Sequence, residues 1–238
     1  MSPRKIRLDR ETISPFLKDL ERWVIWRAGP VNEEGKFSKV PLNVTTLRNA
    51  NANDPSNWVS FEQACGAYDA GKCSGIGIAL TDQPVTASSE KPLYLVAVDL
   101  DNCAEDLTEA KALRAELGIY SEVSPSYRGI RMFALSREPI KGGNDGKNHE
   151  LYGGGRFMTV TGIKGRGKIL EITSKLQNLE RQWFPKRSSK KPPFELDSAT
   201  RNILNSPRPE TSENIELVGT MLARISADCE YELWMKIV

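Results

Sequence analysis

The sequence has little of what builds zinc sites or disulfide frameworks: it contains one histidine, His149, and four cysteines without Cys-x-x-Cys spacing. Zinc ligands and stabilising disulfides both require clustered cysteines or histidines, so neither kind of site is expected. The cysteines are Cys65, Cys73, Cys103 and Cys229. We therefore expect free thiols and a cytoplasmic location, because a reducing compartment keeps thiols unpaired.

Long apolar runs and a strong net charge are also absent. No apolar stretch approaches the roughly 18 residues of a membrane-spanning helix, and no apolar signal segment follows the basic N-terminus. We therefore expect neither a membrane protein nor a secreted one. The net charge is only +2 over 238 residues, so composition alone does not indicate a nucleic-acid partner. An apolar content of 39% is enough for a sizeable core.

The stretch with the clearest chemistry is 94–101, an apolar run that ends in two carboxylates, Asp99 and Asp101. Side chains on a strand alternate between faces, so the two acids share a face with their Cα atoms about 6.6 Å apart. Carboxylates about 5 Å apart repel by roughly 3 kcal/mol at an effective dielectric constant of about 20. A divalent cation would offset this repulsion, since Mg²⁺ binds one or two carboxylates together with substrate phosphates. The alternative is an ordinary strand end followed by an acidic turn.

Hydrophobic periodicity, capping signals and turn residues predict an α+β protein. Strands are predicted at 23–26, 37–42, 75–80, 94–101, 120–124, 130–135, 149–152 and 157–161. Helices are predicted at 15–22, 61–71, 105–117, 173–183 and 215–225, and another begins at 231. Residues 82–92 and 141–148 are predicted to be loops. We expect one folded domain over 1–185, a basic, polar linker over 186–214 and a small helical segment over 215–238.

Three polar clusters beside predicted strands have complementary chemistry. They are Asp99 with Asp101, the turn 124–131 and the stretch 150–161. The acids Asp99, Asp101 and Glu150 would suit a divalent metal. Hydroxyl and guanidinium donors suited to phosphate oxygens are Ser126, Arg128, Arg131 and Arg156. Metal ions combined with phosphate donors are the equipment of phosphoryl transfer, in which two ions about 3.5 to 4 Å apart activate a hydroxyl and stabilise the leaving pyrophosphate.

The order and spacing of these motifs resemble the archaeo-eukaryotic primase superfamily, especially the primase-polymerases of phages and plasmids, over roughly residues 20 to 185. Residues 98–101 (VDLD) resemble the first catalytic motif, and 124–131 (SPSYRGIR) resemble the second. The third motif is similar to 150–152 (ELY) with the following Arg156 and Thr161-Gly162. The N-terminal half is similar through 23–26, 39–42, 57–64 and 75–77.

The resemblance implies a template-directed DNA primase and polymerase that serves the replication of a phage, plasmid or other mobile element. It implies a catalytic fold with an RRM-like antiparallel sheet and an N-terminal α/β subdomain. The implied partners are a single-stranded DNA template and NTPs or dNTPs. Because 215–238 resembles the opening of a primase C-terminal helical domain and stops mid-pattern, a helicase domain is expected in the full-length protein.

The resemblance also assigns residues to roles. Mg²⁺ or Mn²⁺ is expected at the catalytic residues Asp99, Asp101 and Glu150. Nucleotide binding is expected at Lys39, Ser124, Ser126, Arg128, Arg131 and Arg156. Outside the resemblance, the positive charge of the linker predicts contacts with the template backbone. Its basic residues are Lys186, Arg187, Lys190 and Lys191. The alternative for these four cations is a solvated tether.

Two positions depart from the family pattern. Arg131 stands where the family ordinarily has a histidine that contacts nucleotide phosphates, and Tyr127 replaces a glycine of the same turn. Arginine binds phosphate at any physiological pH but does not act as an acid or base near neutrality. A second hypothesis is therefore a catalytically weakened module that binds single-stranded nucleic acid.

Single motifs, taken one at a time, fit different interpretations. The Asp-x-Asp pattern by itself would also suit a metal-dependent glycosyltransferase, although the turn at 124–129 would have no role in it. Glu150 alone could be an ordinary exposed strand residue, and 153–155 (GGG) could be a hairpin turn. We expect Trp23 and Trp26 in the core rather than as base-stacking platforms.

Overall fold

The computed structural model describes residues 5–31, 37–86, 91–103 and 107–185. All of them lie within one compact unit, Met1–Lys186. The predicted linker over 186–214 and the predicted helical segment over 215–238 lie outside the described residues. The four linker cations and Cys229 lie outside them as well.

The described residues include nine strands, which form two antiparallel sheets. They are β1 Trp23–Val31, β2 Phe37–Leu42, β3 Gly75–Leu80, β4 Tyr94–Leu100, β5 Tyr120–Val123, β6 Ile130–Ser136, β7 Gly142–Asn144, β8 His149–Tyr152 and β9 Arg156–Val160. The first sheet has four strands in the order β2-β1-β3-β9, and the second has five in the order β5-β6-β4-β8-β7. The predicted α+β class is confirmed.

In the described part of the chain four α-helices accompany the sheets: α1 Pro15–Lys18, α2 Phe61–Asp69, α3 Thr108–Leu117 and α4 Thr173–Trp183. The sequence signals explain the ends of α2 and α3. Ser60 and Gln63 form a capping box at the start of α2, and α3 ends at Gly118, whose φ of 66° is left-handed. No helix in the described part of the chain is long and apolar enough to cross a membrane.

The first helix is shorter than predicted, because it makes one turn and ends at Lys18 instead of 22. Ser14 does not cap it through its side chain. The carbonyl of Leu17 accepts a hydrogen bond from the indole N–H of Trp23 at 3.0 Å. Packing of the buried Trp23 at the start of β1 thus takes precedence over continuation of the helix.

Two apolar clusters fix the layers of the fold. One lies between the sheets and includes Trp23 and Ile76 of the four-stranded sheet with Leu95 and Phe133 of the five-stranded sheet. The other includes Val96 of β4 and residues of α3 and α4. The five-stranded sheet is therefore covered on both faces, by the helices on one side and by the four-stranded sheet on the other. The expectation that Trp23 and Trp26 are core residues is confirmed, since they are 0% and 1% exposed.

Two segments differ from the sequence prediction. The glycine run 153–155 is not a hairpin turn, because β8 pairs with β4 whereas β9 pairs with β3 in the other sheet. The predicted loop 141–148 contains the short strand β7. Glu180 of α4 accepts hydrogen bonds from the backbone N–H groups of Lys141 at 3.1 Å and Gly142 at 2.8 Å, which fixes the start of that strand.

Candidate functional site

A row of polar side chains crosses the five-stranded sheet. Glu122 lies opposite Arg131, Arg131 opposite Asp99, Asp99 opposite Glu150, and Glu150 opposite Asn144. Directly paired residues of neighbouring strands point to the same face. This polar row therefore carries alternating charge at its β5 end and two adjacent acids near its β8 end, on the face that is turned to the four-stranded sheet.

Asp99 and Arg131 form a buried ion pair at the centre of the polar row. Each residue is 3% exposed, and the guanidinium of Arg131 donates to Oδ2 of Asp99. The same guanidinium donates to the carbonyl oxygen of Thr159 at 2.8 Å and to its hydroxyl. Burial lowers the pKa of Arg131, but the charge of Asp99 and the hydrogen bond to it outweigh burial and raise that pKa. Oδ1 of Asp99 and Nε of Arg131 are buried without a partner among the described residues.

Glu122, which the sequence analysis did not single out, is a second buried acid. Its Oε1 accepts from the backbone N–H of Thr161 at 2.8 Å. Its Oε2 accepts from the N–H of Gly162 at 2.9 Å and from the Tyr120 hydroxyl at 2.8 Å. Burial raises the pKa of Glu122, although these hydrogen bonds and the charge of Arg131 oppose the change. Glu122 therefore ties the β5 end of the polar row to the chain after β9.

Glu150 is partly buried beside Asp99 of β4 and near Asp101, which follows the end of that strand. Asn144 donates its side-chain N–H to Oε1 of Glu150. Burial raises the pKa of Glu150, and the charges of Asp99 and Asp101 raise it further. Glu150 is thus paired with Asp99 across the two strands and lies within electrostatic reach of both aspartates.

Lys39 reaches this acidic group from β2 of the other sheet. The residue is exposed, yet neighbouring atoms crowd its ammonium group, and this desolvation lowers the pKa of Lys39. The charge of Arg131 lowers the pKa further, whereas the three carboxylates raise it. Lys39 thus supplies a cation within electrostatic reach of the three carboxylates.

The turn between β5 and β6 packs against the end of β4. The Ser124 hydroxyl accepts from the N–H of Gly129 at 3.1 Å and shares a hydrogen bond of 3.0 Å with Ser126. A Cβ atom added to Gly129 would lie 2.4 Å from the Leu100 carbonyl oxygen and 3.3 Å from Cα of Asp101. Only glycine therefore lets the turn lie this close to the carboxylates.

Arg156 and Tyr152 flank Glu150. The Arg156 guanidinium lies over the Tyr152 ring, 3.3 Å from its centroid. The charge of Arg156 lowers the pKa of Glu150 and so offsets part of the rise that burial causes. The exposed guanidinium therefore lies within electrostatic reach of that carboxylate. Burial and the charge of Glu150 raise the pKa of Tyr152. Arg156 was a predicted site residue, whereas Tyr152 belongs to the third motif but had no predicted role.

No protein-family model matches this sequence. The chain is similar to a DNA primase-polymerase of Nitratiruptor phage NrS-1, with 29% identity over 201 residues that cover 78% of this chain. The similarity supports the relationship to phage primase-polymerases that the motifs indicate. The aligned part is 26% of that relative, so the chain spans about a quarter of its length.

The carboxylates match a hard divalent cation in ligand type, since Mg²⁺ and Mn²⁺ prefer oxygen donors. Oδ1 of Asp99 is a buried oxygen without a described partner, which a cation would satisfy. Among the described residues, however, no three His, Cys, Asp or Glu side chains form a ready-made metal cluster. A cation bound by all three carboxylates would have to draw them closer together against their mutual repulsion.

The structure thus gathers most of the predicted site residues around one place. The carboxylate of Glu150 lies within electrostatic reach of those of Asp99 and Asp101. The cations in contact with these carboxylates or within electrostatic reach of them are Lys39, Arg131 and Arg156. Ser124 and Ser126 lie in the turn beside the end of β4. Arg128 instead lines a cavity on the α3 side of the sheet. Contact of Arg131 with a nucleotide would require its ion pair with Asp99 to open, so this assignment stays a prediction.

Proposed function

We propose that this chain is the nucleotidyltransferase module of a DNA primase-polymerase that serves the replication of a phage, plasmid or other mobile element. The observation that carries the proposal is the strand register that places Glu150 and Arg131 on either side of Asp99. The similarity to a phage primase-polymerase supports the same class of reaction. The substrates would be NTPs or dNTPs and a single-stranded DNA template.

Asp99, Asp101 and Glu150 would hold Mg²⁺ or Mn²⁺ in this reaction. A bound metal would supply charge neutralisation on the triphosphate and activation of the attacking hydroxyl. The chain itself provides ligand orientation: Arg131 holds Oδ2 of Asp99, which leaves Oδ1 as the oxygen available to a cation. In phosphoryl transfer such positioning and charge stabilisation supply most of the catalysis.

The cations around the carboxylates would bind the nucleotide. Lys39 and Arg156 approach the acids from the four-stranded sheet and would contact phosphate oxygens. The hydroxyls of Ser124 and Ser126 are donors beside the end of β4, where a phosphate near the metal would lie. These residues would hold and orient the triphosphate without exchanging a proton.

A second candidate function is binding of single-stranded nucleic acid without catalysis. Its support is the ion pair with Arg131, which occupies one oxygen of a predicted metal ligand. A helicase domain elsewhere in the full-length protein would fit both functions and stays a prediction.

Incorporation of labelled nucleotides on primed single-stranded DNA, with Mg²⁺ or Mn²⁺, separates the two functions. We expect Asp101→Asn and Glu150→Gln each to lower incorporation at least 100-fold. The matched control is Glu62→Gln, which neutralises an exposed acid at the start of α2. Full incorporation by either site variant would overturn the metal assignment, and no incorporation by the unmodified chain would favour the binding function.

A further inference from the structure

A basic groove of about 790 Å³ lies beside α3, between that helix, the edge strand β5 and the segment 163–166. The polar row faces the four-stranded sheet, whereas α3 packs on the opposite face of the five-stranded sheet. The basic groove does not include Asp99, Asp101 or Glu150 among its lining residues. Nothing in the proposed chemistry uses it.

Six cationic side chains line the basic groove: Arg7, Lys111, Arg114, Arg128, Lys164 and Arg166. None of them forms an ion pair with a carboxylate of the described residues. The acid among the lining residues is Glu122, whose two oxygens already accept hydrogen bonds from Thr161, Gly162 and Tyr120. The groove therefore presents positive charge that the described part of the chain does not neutralise.

Two of these cations are held close together. Burial and the charge of Arg166 both lower the pKa of Arg114. The backbone of Arg166 is fixed, because it exchanges hydrogen bonds of 2.9 and 3.0 Å with Ser121 of β5. Neighbouring like charges repel each other, and a bound polyanion would turn this repulsion into attraction.

Tyr127 lies at the edge of the basic groove. Tyr127 is 54% exposed, which is unusual among the aromatic residues that the structure describes. Its φ of 62° is left-handed, and this conformation costs a residue with a side chain roughly 1–2 kcal/mol. An exposed aromatic ring next to a row of cations is the combination that binds single strands, because bases stack on the ring while cations contact phosphates.

We propose that the basic groove binds the backbone of single-stranded DNA, with Tyr127 stacking on a base. That the strand is DNA rests on the proposed function. That the groove binds a single strand of nucleic acid rests on its positive charge and on the exposed ring of Tyr127. The turn 124–129 borders the basic groove on one side and packs against Asp101 on the other. One strand would therefore pass from the groove along this turn toward the carboxylates.

The test is the affinity of the full chain for a fluorescein-labelled oligothymidylate, measured by anisotropy over a range of salt concentrations. The double variant Arg114→Gln/Arg166→Gln is expected to bind at least tenfold more weakly. It should also reduce the slope of log affinity against log salt by about 1.4, which corresponds to two phosphate contacts on a single strand. The matched control, Arg48→Gln/Lys72→Gln, removes the same charge from exposed positions outside the groove and should bind normally.

Two further variants separate the outcomes. Tyr127→Ala should bind about tenfold more weakly with an unchanged salt slope, and Tyr127→Phe should bind normally. Glu150→Gln should retain DNA binding even though it loses nucleotide incorporation. A failure of the groove proposal can therefore be distinguished from a failure of the proposed catalytic function. Equal oligothymidylate affinity of the double variant and its control would overturn the proposal. Loss of dNTP binding with retained oligothymidylate affinity would also overturn it, because the groove would then hold the nucleotide.

Discussion

At the scale of single residues, the ion pair between Asp99 and Arg131 changes how the acidic site is stabilised. The sequence predicts repulsion between Asp99 and Asp101 that removal of one carboxylate would relieve. In the structure the chain supplies its own cation to Asp99. Loss of Asp99 would leave Arg131 buried and unpaired, so we expect that change to destabilise the protein.

Arg131→Met should lower the free energy of unfolding by about 3–5 kcal/mol, because it leaves a buried carboxylate without its partner. Urea denaturation in the presence of a chelator measures this loss. Adding Asp99→Asn to the variant should restore part of the stability, since no buried charge then remains on β4. Mn²⁺ should stabilise Arg131→Met more than the unmodified chain. An unchanged urea midpoint in Arg131→Met would contradict the importance of the pair.

Tyr127→Gly should raise the free energy of unfolding by about 1 kcal/mol. Glycine adopts a left-handed φ without the steric cost that tyrosine bears, and the exposed ring contributes little packing. Tyr127→Phe keeps that cost and serves as the control. A lower melting temperature for Tyr127→Gly than for Tyr127→Phe would show that the ring stabilises the turn.

At the scale of elements, local signals were enough wherever an element depends on its own residues. The capping box set the start of α2, the glycine at 118 set the end of α3, and α4 lies at 173–183 as predicted. The elements that the sequence did not reveal depend on distant partners. Strand β7 requires the carboxylate of Glu180, and the separation of β8 from β9 requires pairing with β3.

The candidate site divides in the same way. Strand alternation and the family resemblance predicted the three carboxylates and the adjacent turn. The pairing of Arg131 with Asp99 follows from the register of β4 and β6, which alternation within one strand does not determine. Glu122 could have been noticed from the sequence as an acid inside a predicted strand, next to residues that are buried in the structure.

His149 links three elements and makes their packing depend on pH. Its Nδ1 contacts Asp145 at 2.6 Å, its Nε2 contacts Glu109 of α3 at 2.7 Å, and its ring stacks on Trp183 of α4. Burial lowers the pKa of His149, but the hydrogen bonds and charges of the two acids outweigh burial and raise it. The protonated imidazole is thus favoured in the folded state.

The free energy of unfolding should therefore include a contribution from His149 that is fully present below the unfolded pKa of about 6.5. It is lost as the pH rises through the higher folded pKa. Urea denaturation between about pH 5.5 and 8.5 measures the change, which should weaken with salt because Glu109 is exposed. His149→Gln should remove this dependence, and the same pH slope in that variant would assign it to other groups.

At the scale of the whole molecule, the described residues carry two charged regions on different sides of the five-stranded sheet. The carboxylates lie on the face toward the four-stranded sheet, and the basic groove lies beside α3. The small net charge of +2 hides this division, because composition averages over both faces. The groove was accordingly outside what composition predicted, and its cations come from distant parts of the sequence.

The contact of Arg131 with Thr159 joins the two sheets through a charged group, because Arg131 belongs to β6 and Thr159 to β9. The apolar cluster between the sheets and the link 153–155 join them as well. Opening the sheets would expose this cluster and break the contacts of a buried guanidinium in the same step. We therefore expect the carboxylate site to lose its arrangement in the same transition as the two sheets that hold it. Partial denaturation would then reduce the number of intact sites without producing damaged ones.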